Sequence, residues 1–78
     1  MDGMIENKTH PSNVALAIMA WRQREGLSYP QAGRVLGVTA TAVHHWENDR
    51  RQILAERVGD ISSRTGIPKA DLRPDLFA

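Results

Sequence analysis

Residues 28–51 read SYPQAGRVLGVTATAVHHWENDRR, and the fold turns on how that stretch divides. Ser28 and Gln31 have the form of a capping box, a hydroxyl for the third helical amide and a side-chain amide reaching back to the cap. Pro30 fits the same first turn, where a missing N–H leaves no bond unmade, although it pushes Tyr29 towards extended angles. The cap is therefore Ser28 or Tyr29, and the helix runs over about 29–36 to Gly37, a residue that takes a left-handed turn without steric cost. Thr39 offers a second cap, and Ala42, Val43 and Trp46 follow as the buried face of another helix, over 39–49. Asn48 and Asp49, both turn formers, end it.

Two short helices joined this closely have strict requirements. A small residue must stand where they cross, and Gly33 does. The turn needs a residue at ease with positive φ, which is Gly37. An apolar residue inside the second helix must lock the pair, which is Val43, with Leu36 and Val38 filling the space beneath. Small, glycine and β-branched at these intervals predict a helix-turn-helix.

Outward from this unit, Ser12 caps a helix over about 12–25, in which Val14, Ala17, Ile18 and Trp21 form one apolar stripe and Gly26 ends the pattern. Leu54, Val58 and Ile61 recur at helical spacing, predicting a fourth helix over about 54–65 that stops at Gly66. Pro68 opens one more turn through Leu72, and Pro74 ends it, leaving 75–78 as a tail with Leu76 and Phe77. No stretch alternates as a strand does. The expectation is an all-α, five-helix domain over 12–78 behind a flexible arm, 1–11, in which His10 is a solvated histidine.

Seventy-eight residues make one domain, near the lower end of what folds unaided. Without cysteine there is no disulfide and no thiolate zinc site, and three histidines alone do not make a structural one, so no metal or cofactor is expected. The longest apolar run, 14–21, is too short for a membrane span, and a soluble, cytoplasmic protein without a membrane partner is expected. The net charge of +1 argues weakly for any partner. Its distribution says slightly more, since residues 21–51 hold five arginines against three carboxylates. No catalytic set stands at an interpretable spacing, no glycine-rich phosphate loop occurs, and the chain is too short to enclose a substrate pocket; the protein is not expected to be an enzyme.

Leu27-Ser28, then Leu36-Gly37-Val38-Thr39, then Val43, Trp46-Glu47-Asn48 and Arg50 resemble the Cro/phage-repressor family. Leu54-Ala55-Glu56-Arg57 and Asp71-Leu72-Arg73-Pro74-Asp75 are similar to its YdaS-like branch, whose members are prophage regulators often labelled antitoxins. The resemblance spans about 14–77. It implies a domain that binds double-stranded operator DNA, usually as a homodimer, with the helix after the turn in the major groove. It also implies that Arg22 and Glu47 pair to tie the first helix to the third. The sequence departs from the family pattern at Ala32, often leucine; at Val35, usually polar; at Asp49, often glycine; and at Tyr29, often a phosphate-bonding glutamine.

In a docked helix of this kind, the residues near its start and one turn on face the base edges. By spacing these are Ala40, Thr41, His44 and His45. Ala40 offers a methyl to thymine, Thr41 a hydroxyl, and each histidine a ring N–H to guanine or phosphate. Ser28, Tyr29, Thr39, Arg34, Arg50 and Arg51 form the expected phosphate set, the last two flanking the groove. Gly33, Gly37, Val43, Trp46, Arg22 and Glu47 are assigned to the scaffold, and Trp21 to core packing. A protonated histidine beside phosphates would bind more tightly than a neutral one. The rival expectation is an antitoxin or adaptor whose main partner is a protein, such as a toxin, with DNA binding secondary. The dimer surface is expected around Leu72, Leu76 and Phe77, because an unpaired apolar end is a liability.

Overall fold

The computed structural model describes residues 11–77. Among them run six helices and no strand: α1 (Asn13–Arg24), α2 (Tyr29–Leu36), α3 (Ala40–Glu47), α4 (Ala55–Thr65), α5 (Lys69–Leu72) and α6 (Pro74–Phe77). His10 and the rest of 1–10 of the expected arm lie outside the described residues. No described helix is long and apolar enough to cross a membrane.

Each of the first three helices starts on a hydroxyl cap. The Ala15 amide donates to Ser12 Oγ at 3.2 Å, and the Ala42 amide to Thr39 Oγ1 at 3.0 Å. At α2 both halves of the capping box are made: the Gln31 amide donates to Ser28 Oγ at 3.2 Å, and the Ser28 amide to Gln31 Oε1 at 2.8 Å. Ser28 is thus the cap, with φ −75° and ψ 170°, and Tyr29 is the first helical residue. Pro30 takes the second helical position, where the absent N–H is harmless.

The core gathers Ile18 and Trp21 from α1, Ala32 and Leu36 from α2, Val43 and Trp46 from α3, and Val58 and Ile61 from α4. Burying a side chain such as Leu36, which has no exposed surface, is worth about 2–3 kcal/mol. α3 packs against both α1 and α2, so it is held from behind along its length. Every buried side-chain polar atom described has a hydrogen-bond partner.

The connections differ from expectation. Leu54, read as the first core residue of the fourth helix, is 58% exposed, and Ile53 is the buried one, at 1%. The chain is still extended there, since residue 54 is the N-cap at φ −61° and ψ 139°. Helical spacing therefore does not yet apply at 54. Ile67, between α4 and α5, also closes the core. Pro74 does not leave a bare tail but opens α6, because a proline fits a helix's first turn. The Arg73 carbonyl accepts the amides of Leu76 and Phe77, both at 3.0 Å. Leu72, expected on a dimer surface, is 1% exposed and belongs to the core, whereas Leu76 and Phe77 do face solvent.

Candidate nucleic-acid interface

α2 and α3 approach until only glycine fits between them. A Cβ on Gly33 would lie 2.6 Å from the Val38 carbonyl oxygen and 3.1 Å from the Ala40 nitrogen, both backbone atoms that cannot swing aside. The Val38 amide donates to the Gly33 carbonyl at 2.8 Å, and Gly37 turns the chain at φ +71°. Val43, fully buried, fills the underside of the pair. This fixes α3 as a rigid rod of eight residues, about 12 Å long.

The two sides of that rod differ sharply. Val43, Trp46 and Glu47 are buried, while Thr41 and His44, three residues apart, are exposed, with Ala40 and His45 half-buried beside them. Thr39 and Ser28 stand exposed at the starts of α3 and α2, their hydroxyls already accepting the capping amides. Arg34, Arg50 and Arg51 are exposed. Among the described residues none of these three arginines forms an ion pair.

The carboxylates of the same region are engaged internally. Glu47 is 3% exposed. Arg22 meets it with two parallel bonds, Nε to Oε2 at 2.7 Å and Nη2 to Oε1 at 3.1 Å, and also donates to the Leu27 carbonyl at 3.1 Å. The hydrogen bond with Glu47 raises the Arg22 pKa further. The Tyr29 hydroxyl donates to Glu47 Oε1 at 3.1 Å, so it points into the protein. Burial pushes the phenol above its ordinary pKa, with the Glu47 carboxylate adding to the shift, and it remains a donor. Asp49 accepts both the Ser12 amide and the Ser12 hydroxyl. The outer face of this unit therefore presents imidazoles, hydroxyls and guanidinium groups, while Glu47 is buried and the exposed Asp49 is engaged by Ser12.

A model of the family described as bacterial toxin YdaS matches residues 28–78. The chain belongs to the YdaS family. The matched span opens on the capping serine of α2 and takes in the whole α2–turn–α3 unit and everything after it. No curated protein and no solved structure matches the chain.

Within this YdaS-family chain, three arginines acquire places that sequence alone did not supply. Arg57, on the first turn of α4, lines a groove of about 390 Å³ together with Thr39, Ala42, Arg51 and Leu54. Its signal was only a third arginine shortly after the 50–51 pair. Arg64 donates to the Val35 carbonyl at 2.7 Å, joining α4 to the end of α2. Arg73 donates to the Ile53 carbonyl at 2.7 Å and holds Asp75 with two further bonds, so the conspicuous 71–75 motif clamps the C-terminal turn onto the 50–53 connection.

Proposed function

We propose that this YdaS-family protein is a sequence-specific DNA-binding regulator of the Cro/repressor helix-turn-helix type, laying α3 in the major groove of operator DNA. The observation that carries the reading is the division of α3: Thr41 and His44 are exposed on one side, and Glu47 is sequestered by Arg22 on the other. A major groove about 12 Å wide accepts such a helix. Thr41, His44, His45 and Ala40 are the base-reading set. Arg50, Arg51 and Arg34 supply phosphate contacts, with Thr39 and Ser28 at the helix starts. Arg57 joins them, because its groove has two guanidinium groups and no carboxylate along its walls.

The protein acts as a homodimer, with two copies of α3 one DNA turn apart, roughly 34 Å, on a near-palindromic site. The direct experiment is binding to the DNA upstream of its own gene by the wild type and by a His44→Ala/His45→Ala/Arg50→Ala variant. Loss of binding in the variant supports the reading.

The family description, bacterial toxin, favours a second reading in which the chain acts on the cell through a protein partner. Under it, forced expression would arrest growth equally for wild type and triple variant, and neither would need DNA.

A further inference from the structure

Tyr29 stands at the first position of α2, where the resemblance implied a phosphate contact, yet its hydroxyl is directed inward. Each part of the ring has a partner. The hydroxyl donates to Glu47 Oε1 at 3.1 Å, and the Arg22 guanidinium carbon lies 4.2 Å from the ring centroid. The imidazole of His44 meets the ring nearly at right angles, with centroids 5.2 Å apart and planes at 77°. Edge-to-face contact is a favoured arrangement for two such rings, since the positive edge of one meets the electron-rich face of the other.

We propose that Tyr29 is a positioning residue that fixes the orientation of His44 on the outer face of α3, and so sets which base edge that imidazole addresses. The proposal deepens the DNA-reading function above and rests on it. An exposed histidine on an isolated helix samples several rotamers and loses them on binding. Here the sampling is restricted in advance, because the tyrosine it leans on is itself held by Glu47 and Arg22. Glu47 is buried and held by two bonds from Arg22, the same arginine covers the tyrosine ring, and the phenol is tethered to the carboxylate. The chain of contacts runs from the α1–α3 ion pair outward to a solvent-facing side chain. Tyr29 thereby ties a scaffold pair to a reading residue. A glutamine at 29 has no ring to offer the imidazole.

Two measurements test this. In the free wild-type protein, nuclear Overhauser effects between the Tyr29 and His44 ring protons are expected, together with ring-current displacement of the His44 resonances. Tyr29→Leu should abolish that displacement, and Tyr29→Phe, which keeps the ring, should retain it. With a duplex from the region upstream of the gene, Tyr29→Leu should weaken binding about three- to tenfold. It should leave affinity for a shuffled duplex of the same composition unchanged. In a His44→Ala background it should add no further loss. Absent ring–ring effects in the wild type overturn the proposal even if Tyr29→Leu proves unfolded, and fully additive losses in a folded double variant overturn it as well. Wild-type protein that does not distinguish the two duplexes refutes the DNA reading instead, and the free-protein spectra then still decide whether Tyr29 positions His44.

Discussion

Asp49 stands at φ +56°, and from that left-handed position its two carboxylate oxygens receive the amide and the hydroxyl of Ser12, 37 residues earlier. An L-residue other than glycine costs roughly 1–2 kcal/mol in this conformation, though aspartate tolerates it better than most. The carboxylate offsets the cost by fastening the end of α3 to the cap of α1. Glycine would remove the strain and the tether together. Asp49→Gly should therefore change stability by less than about 1 kcal/mol, while Asp49→Ala, which keeps the strain and loses the tether, should cost about 2 kcal/mol. Urea unfolding followed by Trp21 and Trp46 fluorescence measures both. Equal losses for the two variants would show that the left-handed conformation carries no strain, and an Asp49→Gly protein more stable than wild type by the full strain of roughly 1–2 kcal/mol would show that the tether is worth nothing.

The crossing of α2 and α3 at Gly33 leaves no room for a methyl group. Gly33→Ala should destabilise the fold by about 1–3 kcal/mol, despite the better helix propensity of alanine, because a backbone carbonyl is the obstacle. The exposed Arg34→Ala change next to it should stay within about 0.5 kcal/mol. Thermal unfolding of the pair distinguishes crowding at the crossing from a general sensitivity of α2.

Glu47 accepts three hydrogen bonds in a buried position. Replacing it with glutamine leaves the Arg22 charge without its counter-ion at the α1–α3 contact. The expected cost is about 3 kcal/mol, at the low end for a broken buried pair because Arg22 keeps 16% of its side chain exposed. Arg22→Lys should also destabilise, since an ammonium group does not supply the parallel fork that meets both oxygens. Denaturant midpoints check both variants, and an Arg22→Lys protein as stable as wild type would contradict the geometry.

Arg73 holds the Asp75 carboxyl below the ordinary carboxylate range, chiefly through their hydrogen bond, with desolvation opposing. A folded-state value below the unfolded one means the contribution is present above about pH 4 and lost as pH falls through the lowered folded value. The clamp over α6 should therefore survive at pH 4 and release only in stronger acid. The Arg73 Nε–H resonance, followed by NMR as pH is lowered, reports it. In Asp75→Asn that resonance should be displaced already at neutral pH and should not show this acid transition.

The α2–turn–α3 unit was readable because its determinants are local: a capping box, a glycine at the crossing, a glycine at the turn and an apolar residue behind. Ser12 and Thr39 were readable as caps for the same reason. Long-range partners were not. Nothing near Asp49 in sequence points to Ser12, and a carboxylate at a turn looks the same whether it faces water or a distant amide. Tyr29 is similar, since a hydroxyl that reaches Glu47 and one that reaches a phosphate have the same local pattern. The shift from Leu54 to Ile53 in the core reflects one further extended residue before α4 begins, and apolar spacing alone does not fix such a phase.

The central claim is that α3 reads DNA through its exposed side. The direct measurement is fluorescence anisotropy of a labelled duplex from upstream of the gene, titrated at fixed salt against a shuffled duplex of equal composition. The wild type should prefer the upstream duplex, and the His44→Ala/His45→Ala/Arg50→Ala protein, still folded by circular dichroism, should lose that preference. A folded triple variant that binds the upstream duplex as tightly and as selectively as the wild type would contradict it.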